Sequence, residues 1–75
     1  MRSRGMKMLD EICYLSQIGA ITKEERIEYA DIITLAMHND RFFSVLKRKL
    51  LEKANESGSE LFSKAFFDAV ETLDT

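Results

Sequence analysis

The sequence predicts an all-α protein, a compact bundle of about four short helices. Three observations lead to this prediction. The 75 residues contain no proline and only three glycines, so few positions interrupt a helix. Apolar residues recur at helical spacing, and no stretch alternates with the period of two that a half-buried strand requires. Each breakpoint also lies beside a residue type that caps helices.

The first helix is predicted over residues 6–18, and residues 1–5 are expected to be flexible. Its apolar stripe contains Met8, Leu9, Ile12, Cys13 and Leu15. A cysteine on such a stripe is expected to be a small buried residue rather than a reactive thiol. Gly19 suits the left-handed position that ends a helix. The second helix is predicted over 23–38, because Thr22 and Glu25 have the spacing of a capping box.

The third helix is predicted over residues 41–56, with Asn39 or Asp40 as its cap. A continuous or kinked helix through His38 is the alternative. The fourth helix is predicted over 59–73, and the spacing of Ser57 and Glu60 predicts a second capping box. Its apolar stripe contains Phe62, Ala65, Phe66, Ala69, Val70 and Leu73.

Length and composition indicate a single small domain, residues 1–75. The chain is 45% hydrophobic with a net charge of only −2, so it is expected to fold. Its one cysteine permits no intramolecular disulfide, which favours a reducing compartment. Charges interrupt every apolar run well before the roughly 20 residues that cross a membrane. We therefore expect a cytoplasmic protein without a secretion signal or membrane span.

The sequence offers little catalytic or cofactor-binding chemistry. It has one cysteine and one histidine, and it lacks a glycine-rich phosphate loop, a His-Glu-x-x-His motif and paired cysteines. His38 ends the second helix, where its interaction with the helix dipole is a sufficient role. We therefore expect no enzyme, no catalytic residues, no cofactor and no metal site.

The second helix is apolar over more than half of its circumference. A helix of this kind is expected to be buried on two sides, and a 75-residue monomer has few neighbouring elements to bury it. The sequence therefore predicts a homodimer in which Tyr29, Ile33 and Met37 form the self-association seam. The alternative is that this helix lies at the centre of a single-chain bundle.

The stretch NDRFFSVLKRKLLEKAN, residues 39–55, raises the question of a nucleic-acid recognition helix. At helical pitch its cations spread over both flanks and the back of an apolar stripe, where lysines cover hydrophobic surface with their stems. A sequence pI of about 5.3 also disfavours DNA binding. The residues predicted to contact a protein partner are Lys47, Arg48, Leu51 and Phe67.

These observations favour a non-enzymatic helical protein that regulates or escorts a protein partner. The alternative function is a small dimeric DNA-binding regulator that uses the basic helix 41–56. Small, proline-free helical chains of this kind resemble, in general style and without a shared motif, the accessory regulators, inhibitors and chaperone-like adaptors of bacteria, phages and plasmids.

Overall fold

A computed structural model describes residues 2–75 and consists of four helices joined by short loops. Their order is α1 (Arg4–Gln17), α2 (Lys23–His38), α3 (Phe42–Glu56) and α4 (Glu60–Asp74). No strand occurs in this part of the chain. The predicted all-α bundle is confirmed, and each helix lies within two residues of its predicted bounds at either end.

The four helices form a closed ring in which each one packs against two others. Helix α1 packs against α2 and α4, and α3 packs against the same two helices. The ring therefore has four junctions, α1–α2, α2–α3, α3–α4 and α1–α4, around one core. The core consists of Met8, Ile12, Leu15, Ile21, Tyr29, Ile33, Leu46, Leu50, Ala54, Ala65, Phe66, Ala69, Val70 and Leu73.

Local sequence signals explain most of the helix ends. Thr22 and Glu25 form the predicted capping box, with each side-chain oxygen accepting a hydrogen bond from the other residue's backbone N–H. Gly19 has a φ of 79°, the left-handed conformation predicted for it. The second predicted capping box is wrong, because Ser59 caps α4 by accepting a hydrogen bond from the Phe62 N–H.

Two other helix starts differ from prediction. Ser3 caps α1, so this helix begins at Arg4 and includes two residues of the segment expected to be flexible. Met1 lies outside the described residues. The prediction that Asn39 or Asp40 caps α3 is wrong, because Arg41 occupies the cap position without a side-chain cap hydrogen bond and α3 begins at Phe42. Asn39 Oδ1 instead accepts a hydrogen bond from the Arg41 N–H in the preceding turn.

The core is closed within one chain. A folded monomer of 8.7 kDa is expected to expose about 4,700 Å² of surface, and this chain exposes 4883 Å². No side-chain nitrogen or oxygen atom is buried without a hydrogen-bond partner in residues 2–75. A second subunit is therefore not needed to complete the core. Among the described residues, no helix combines the length and the apolar character needed to cross a membrane.

Candidate protein-binding surfaces

The structure divides the three residues predicted to form a dimer seam. Tyr29 is 3% exposed and Ile33 is fully buried, so both belong to the single-chain core. A residue without exposed surface cannot contact a second copy in this fold, and the prediction is wrong for these two. Met37 is 48% exposed and remains available. Its side chain lies against Gly5, where α1 and α2 approach closely.

Ion pairs lie on the α3 side of α2, and the core packs against its inner face. Glu25 pairs with Lys53, and the Glu28 carboxylate lies 3.0 Å from Lys49 Nζ. The acidic flank of α2 thus faces α3, and Tyr29 packs into the core. Ile27 then points outward, with 49% of its surface exposed. The dimer prediction assigned the wrong part of a broadly apolar helix to the surface.

Two side chains of α2 have perturbed pKa values with identifiable causes. The hydrogen bond from Lys53 and the Thr22 backbone N–H hold the pKa of Glu25 below its usual range. Burial, followed by the nearby charge of Glu25, raises the pKa of Tyr29 to about 12. Both shifts belong to contacts that join α2 to its neighbours, and neither lies in a cleft of catalytic type.

Three of the residues predicted to bind a partner, Lys47, Leu51 and Phe67, lie on the flanks of α3 and α4 that face each other, and Arg48 lies on the outer side of α3. Lys47 Nζ is 3.1 Å from Asp74 Oδ2, and Ser63 Oγ donates a hydrogen bond of 2.7 Å to the Ala54 carbonyl. Leu51 is one turn from Lys47 and Phe67 is one turn from Ser63, so the two apolar residues lie between these bridges.

Exposure differs among these four residues. Phe67 is 46% exposed and Arg48 is fully on the surface, whereas Leu51 is partly buried against the core. Lys47 is held by its ion pair with Asp74. Phe67 therefore offers the largest accessible apolar contact of the group.

The basic character of α3 is largely neutralised inside the chain. Lys47, Lys49 and Lys53 each form an ion pair with a carboxylate of α2 or α4. Exposed ion pairs contribute little to stability, but here they compete with phosphate contacts for the same ammonium groups. The helix presents no continuous row of unpaired cations to a duplex.

A shallow groove between α1 and α4 was not predicted. Its lining consists of Asp10, Glu11, Tyr14, Leu61, Lys64, Ala65 and Asp68. Leu61 is 64% exposed and Tyr14 is 48% exposed. Lys64 Nζ lies 2.9 Å from Asp68 Oδ2 at the rim, and the Thr72 hydroxyl bonds to Glu11 Oε1. The groove thus exposes apolar side chains between charged edges that are mostly acidic.

Further exposed apolar residues lie on α1 and α2. Met6 and Cys13 on α1 and Ile27 on α2 were not predicted as contact residues, and all three are exposed, as is Met37. The prediction that Cys13 is buried is wrong, because it lies on the flank of α1 beside the core stripe rather than within it. Helical spacing would have placed Met6 and Cys13, seven residues apart, on one side of α1.

The described residues contain no group of three or more His, Cys, Asp or Glu side chains arranged to hold a metal ion. In the comparisons with known proteins, no family model, curated protein or solved structure matches the chain. Functional argument therefore rests on its own surfaces.

Proposed function

We propose that this chain is a non-enzymatic, cytoplasmic, homodimeric helical protein that regulates or escorts a protein partner. The observation that carries the proposal is the exposure of Leu61 and Phe67, at 64% and 46%, on a helix whose inner face is already fully packed. Large apolar side chains that a closed core does not need are available for contact with a partner, and these two flank the exposed side of α4.

Helix α4 supplies most of the partner surface in this proposal. Leu61 borders the α1–α4 groove with Tyr14, and Phe67 borders the α3–α4 junction. Lys64 and Asp68 lie between them as an exposed ion pair. Such a surface combines apolar anchors with polar groups that fix orientation, and a rigid helix presents both with little loss of conformational entropy.

The placement of the two most reactive side-chain types supports a non-enzymatic role. Gly5 lies against Met37, so His38 is level with the beginning of α1. Cys13 is eight residues further along this helix, about 12 Å away at 1.5 Å per residue. A thiol and its activating base must be within hydrogen-bond distance of each other, which this spacing prevents.

Capture experiments with matched surface variants test the proposal. The wild type is expected to retain a specific protein from extracts of the cells that naturally produce it, and Leu61→Asp with Phe67→Asp is expected to lose it. Leu35→Asp is the control, because Leu35 is also 49% exposed but lies on α2. Equal retention by all three chains would contradict the assignment of α4.

DNA retention at low ionic strength tests the alternative function. The intramolecular ion pairs of α3 predict no salt-dependent binding of duplex DNA by the wild type. Salt-dependent binding that is abolished by Lys47→Glu with Arg48→Glu would support the DNA-binding regulator and overturn the proposal.

A further inference from the structure

We propose that the α1–α4 groove binds a basic amphipathic helix of another protein, an inference that rests on the proposed function and names the chemistry of its partner. Leu61 and Tyr14, at 64% and 48% exposure, are the apolar contacts available in the groove. The small side chain of Ala65 lines the same recess. An amphipathic helix binds such a groove with its apolar stripe and places its polar residues at the edges.

The groove has the length of a short helix. Its first recess extends along α4 from Leu61 to Asp68, and a second recess, lined by Asp68, Glu71, Thr72 and Thr75, continues it. Between Leu61 and Thr72 the helix rises about 16 Å, or three turns. A partner helix of three turns can therefore lie along both recesses and contact each of them.

Carboxylates outnumber cations around the groove. Ten charged residues line it, lie one turn from its lining or form ion pairs with such residues: Asp10, Glu11, Glu60, Asp68, Glu71, Asp74, Arg2, Lys7, Lys47 and Lys64. Six are carboxylates and four are cations, so their net charge is −2, which equals that of the whole chain. A partner segment that complements this surface is positively charged.

Ion pairs within the chain leave the surplus on carboxylates. Three of the four cations form ion pairs with three of the six carboxylates. In residues 2–75, the members of this group without an ion pair are one cation and three carboxylates, namely Lys7, Glu11, Glu60 and Glu71. The unpaired carboxylates are therefore the groups that a lysine or arginine of the partner would contact.

The pKa of Lys64 is consistent with a negative field at the groove. The hydrogen bond from Lys64 to Asp68 and the charge of Asp68, with a smaller effect from the charge of Glu71, raise this pKa above its usual range. The protonated ammonium is thus favoured at the edge of the groove. A lysine of a partner placed beside the same carboxylates would be favoured in the same way.

Other occupants match the groove less well. A second copy that presents the same groove would oppose carboxylates to carboxylates in an isologous interface. Nucleic acid is disfavoured because its phosphates have the same sign of charge as the groove. The four helices of this chain are already packed against one another in the ring, so none of them is free to fill the groove.

Two matched synthetic peptides test the charge of the occupant. Both are about three turns long with leucines at i, i+3, i+4 and i+7, and the remaining positions are lysine in one peptide and glutamate in the other. The lysine peptide is expected to bind with an affinity that falls with added salt, and the glutamate peptide at least about tenfold more weakly. Equal binding of the two peptides, or no binding of the lysine peptide, would overturn the inference.

Charge-matched variants test the site. Glu11→Gln with Glu71→Gln removes two carboxylates of the groove, keeps an acceptor for the Thr72 hydroxyl, and should weaken binding of the lysine peptide about three- to tenfold. Glu24→Gln with Asp31→Asn removes two exposed carboxylates of α2 and should leave binding nearly unchanged. Both variants change the net charge of the chain equally. Equal weakening by both would show attraction to net charge alone and overturn the site.

Matched truncations test the apolar contact. Leu61→Ser should weaken binding of the lysine peptide at least about fivefold, because the peptide would otherwise bury this exposed side chain. Leu35→Ser is the control, since Leu35 is 49% exposed on α2, and it should leave binding unchanged. Circular dichroism must show the same helix content in both variants. A peptide that binds Leu61→Ser as tightly as the wild type would contradict the assignment of the groove.

The results separate failure of the basic-helix assignment from failure of the proposed function. A natural partner that is captured through α4, while the lysine peptide does not bind, leaves the proposed function intact and refutes only the basic helix. Equal retention of a partner by the wild type and by Leu61→Asp with Phe67→Asp refutes the α4 partner surface and the basic helix together.

Discussion

Two isoleucines on α2 allow the assignment of core and surface to be tested with the same chemical change. Ile33 is fully buried, whereas Ile27 is 49% exposed on the same helix. Removing the buried side chain in Ile33→Ala should cost about 2 to 5 kcal/mol, from lost burial and the cavity that remains. Removing the exposed one in Ile27→Ala should cost less than about 1 kcal/mol in the monomer.

The cost of Ile33→Ala is large relative to the total free energy of unfolding. A chain of 75 residues is expected to have a free energy of unfolding of about 4 to 11 kcal/mol. Ile33→Ala should therefore remove between about a fifth and all of the stability and lower the urea midpoint at constant m-value. Equal midpoints for the two variants would refute the placement of Ile33. Denaturation should be followed at the lowest measurable protein concentration, where dimer formation contributes least.

Three further predictions concern caps, turns and titration. Glu25→Gln keeps a side chain that can form the capping box but removes the charge paired with Lys53. The pKa of Glu25 in the folded protein lies below its usual 4.5, so the wild type should be more stable than this variant at neutral pH. This difference in the free energy of unfolding should disappear as pH falls through the folded pKa, which a pH series of urea midpoints would show. Burial raises the folded pKa of Tyr29 to about 12, so wild-type stability should decline as pH rises from about 10 to 12, and Tyr29→Phe should flatten this decline in alkaline unfolding curves. Gly19→Ala should cost about 1 kcal/mol or more at a φ of 79°, whereas Gly58→Ala, with no positive φ and no close neighbour, should leave the thermal midpoint unchanged or higher.

Local signals in the sequence were sufficient to predict the helices. The Thr22–Glu25 box and the left-handed Gly19 act over three or four residues, and both are present as predicted. The apolar stripe of α4 was also predicted correctly, because its polar and apolar sides are well separated. Ser57 and Ser59 have the same side chain, so local sequence does not decide which of them caps α4. That depends on where α3 ends.

The rotation of α2 could not be predicted from its own sequence. Its apolar residues extend over more than half of the circumference, so periodicity leaves several directions equally compatible with the core. The choice is made by the core that the other three helices form, into which Tyr29 and Ile33 pack. For the same reason the sequence indicated surplus apolar surface but attributed it to Tyr29 and Ile33 rather than to Ile27.

Photo-crosslinking in the cells that naturally produce the chain tests the central claim most directly, namely that exposed apolar surfaces carry its function. Photoreactive side chains at positions 61 and 67 should give adducts with one other protein. Position 55, where Asn55 is exposed on α3, is the control and should give none. Adducts at position 55 as abundant as those at 61 and 67, or none at any position, would contradict the claim.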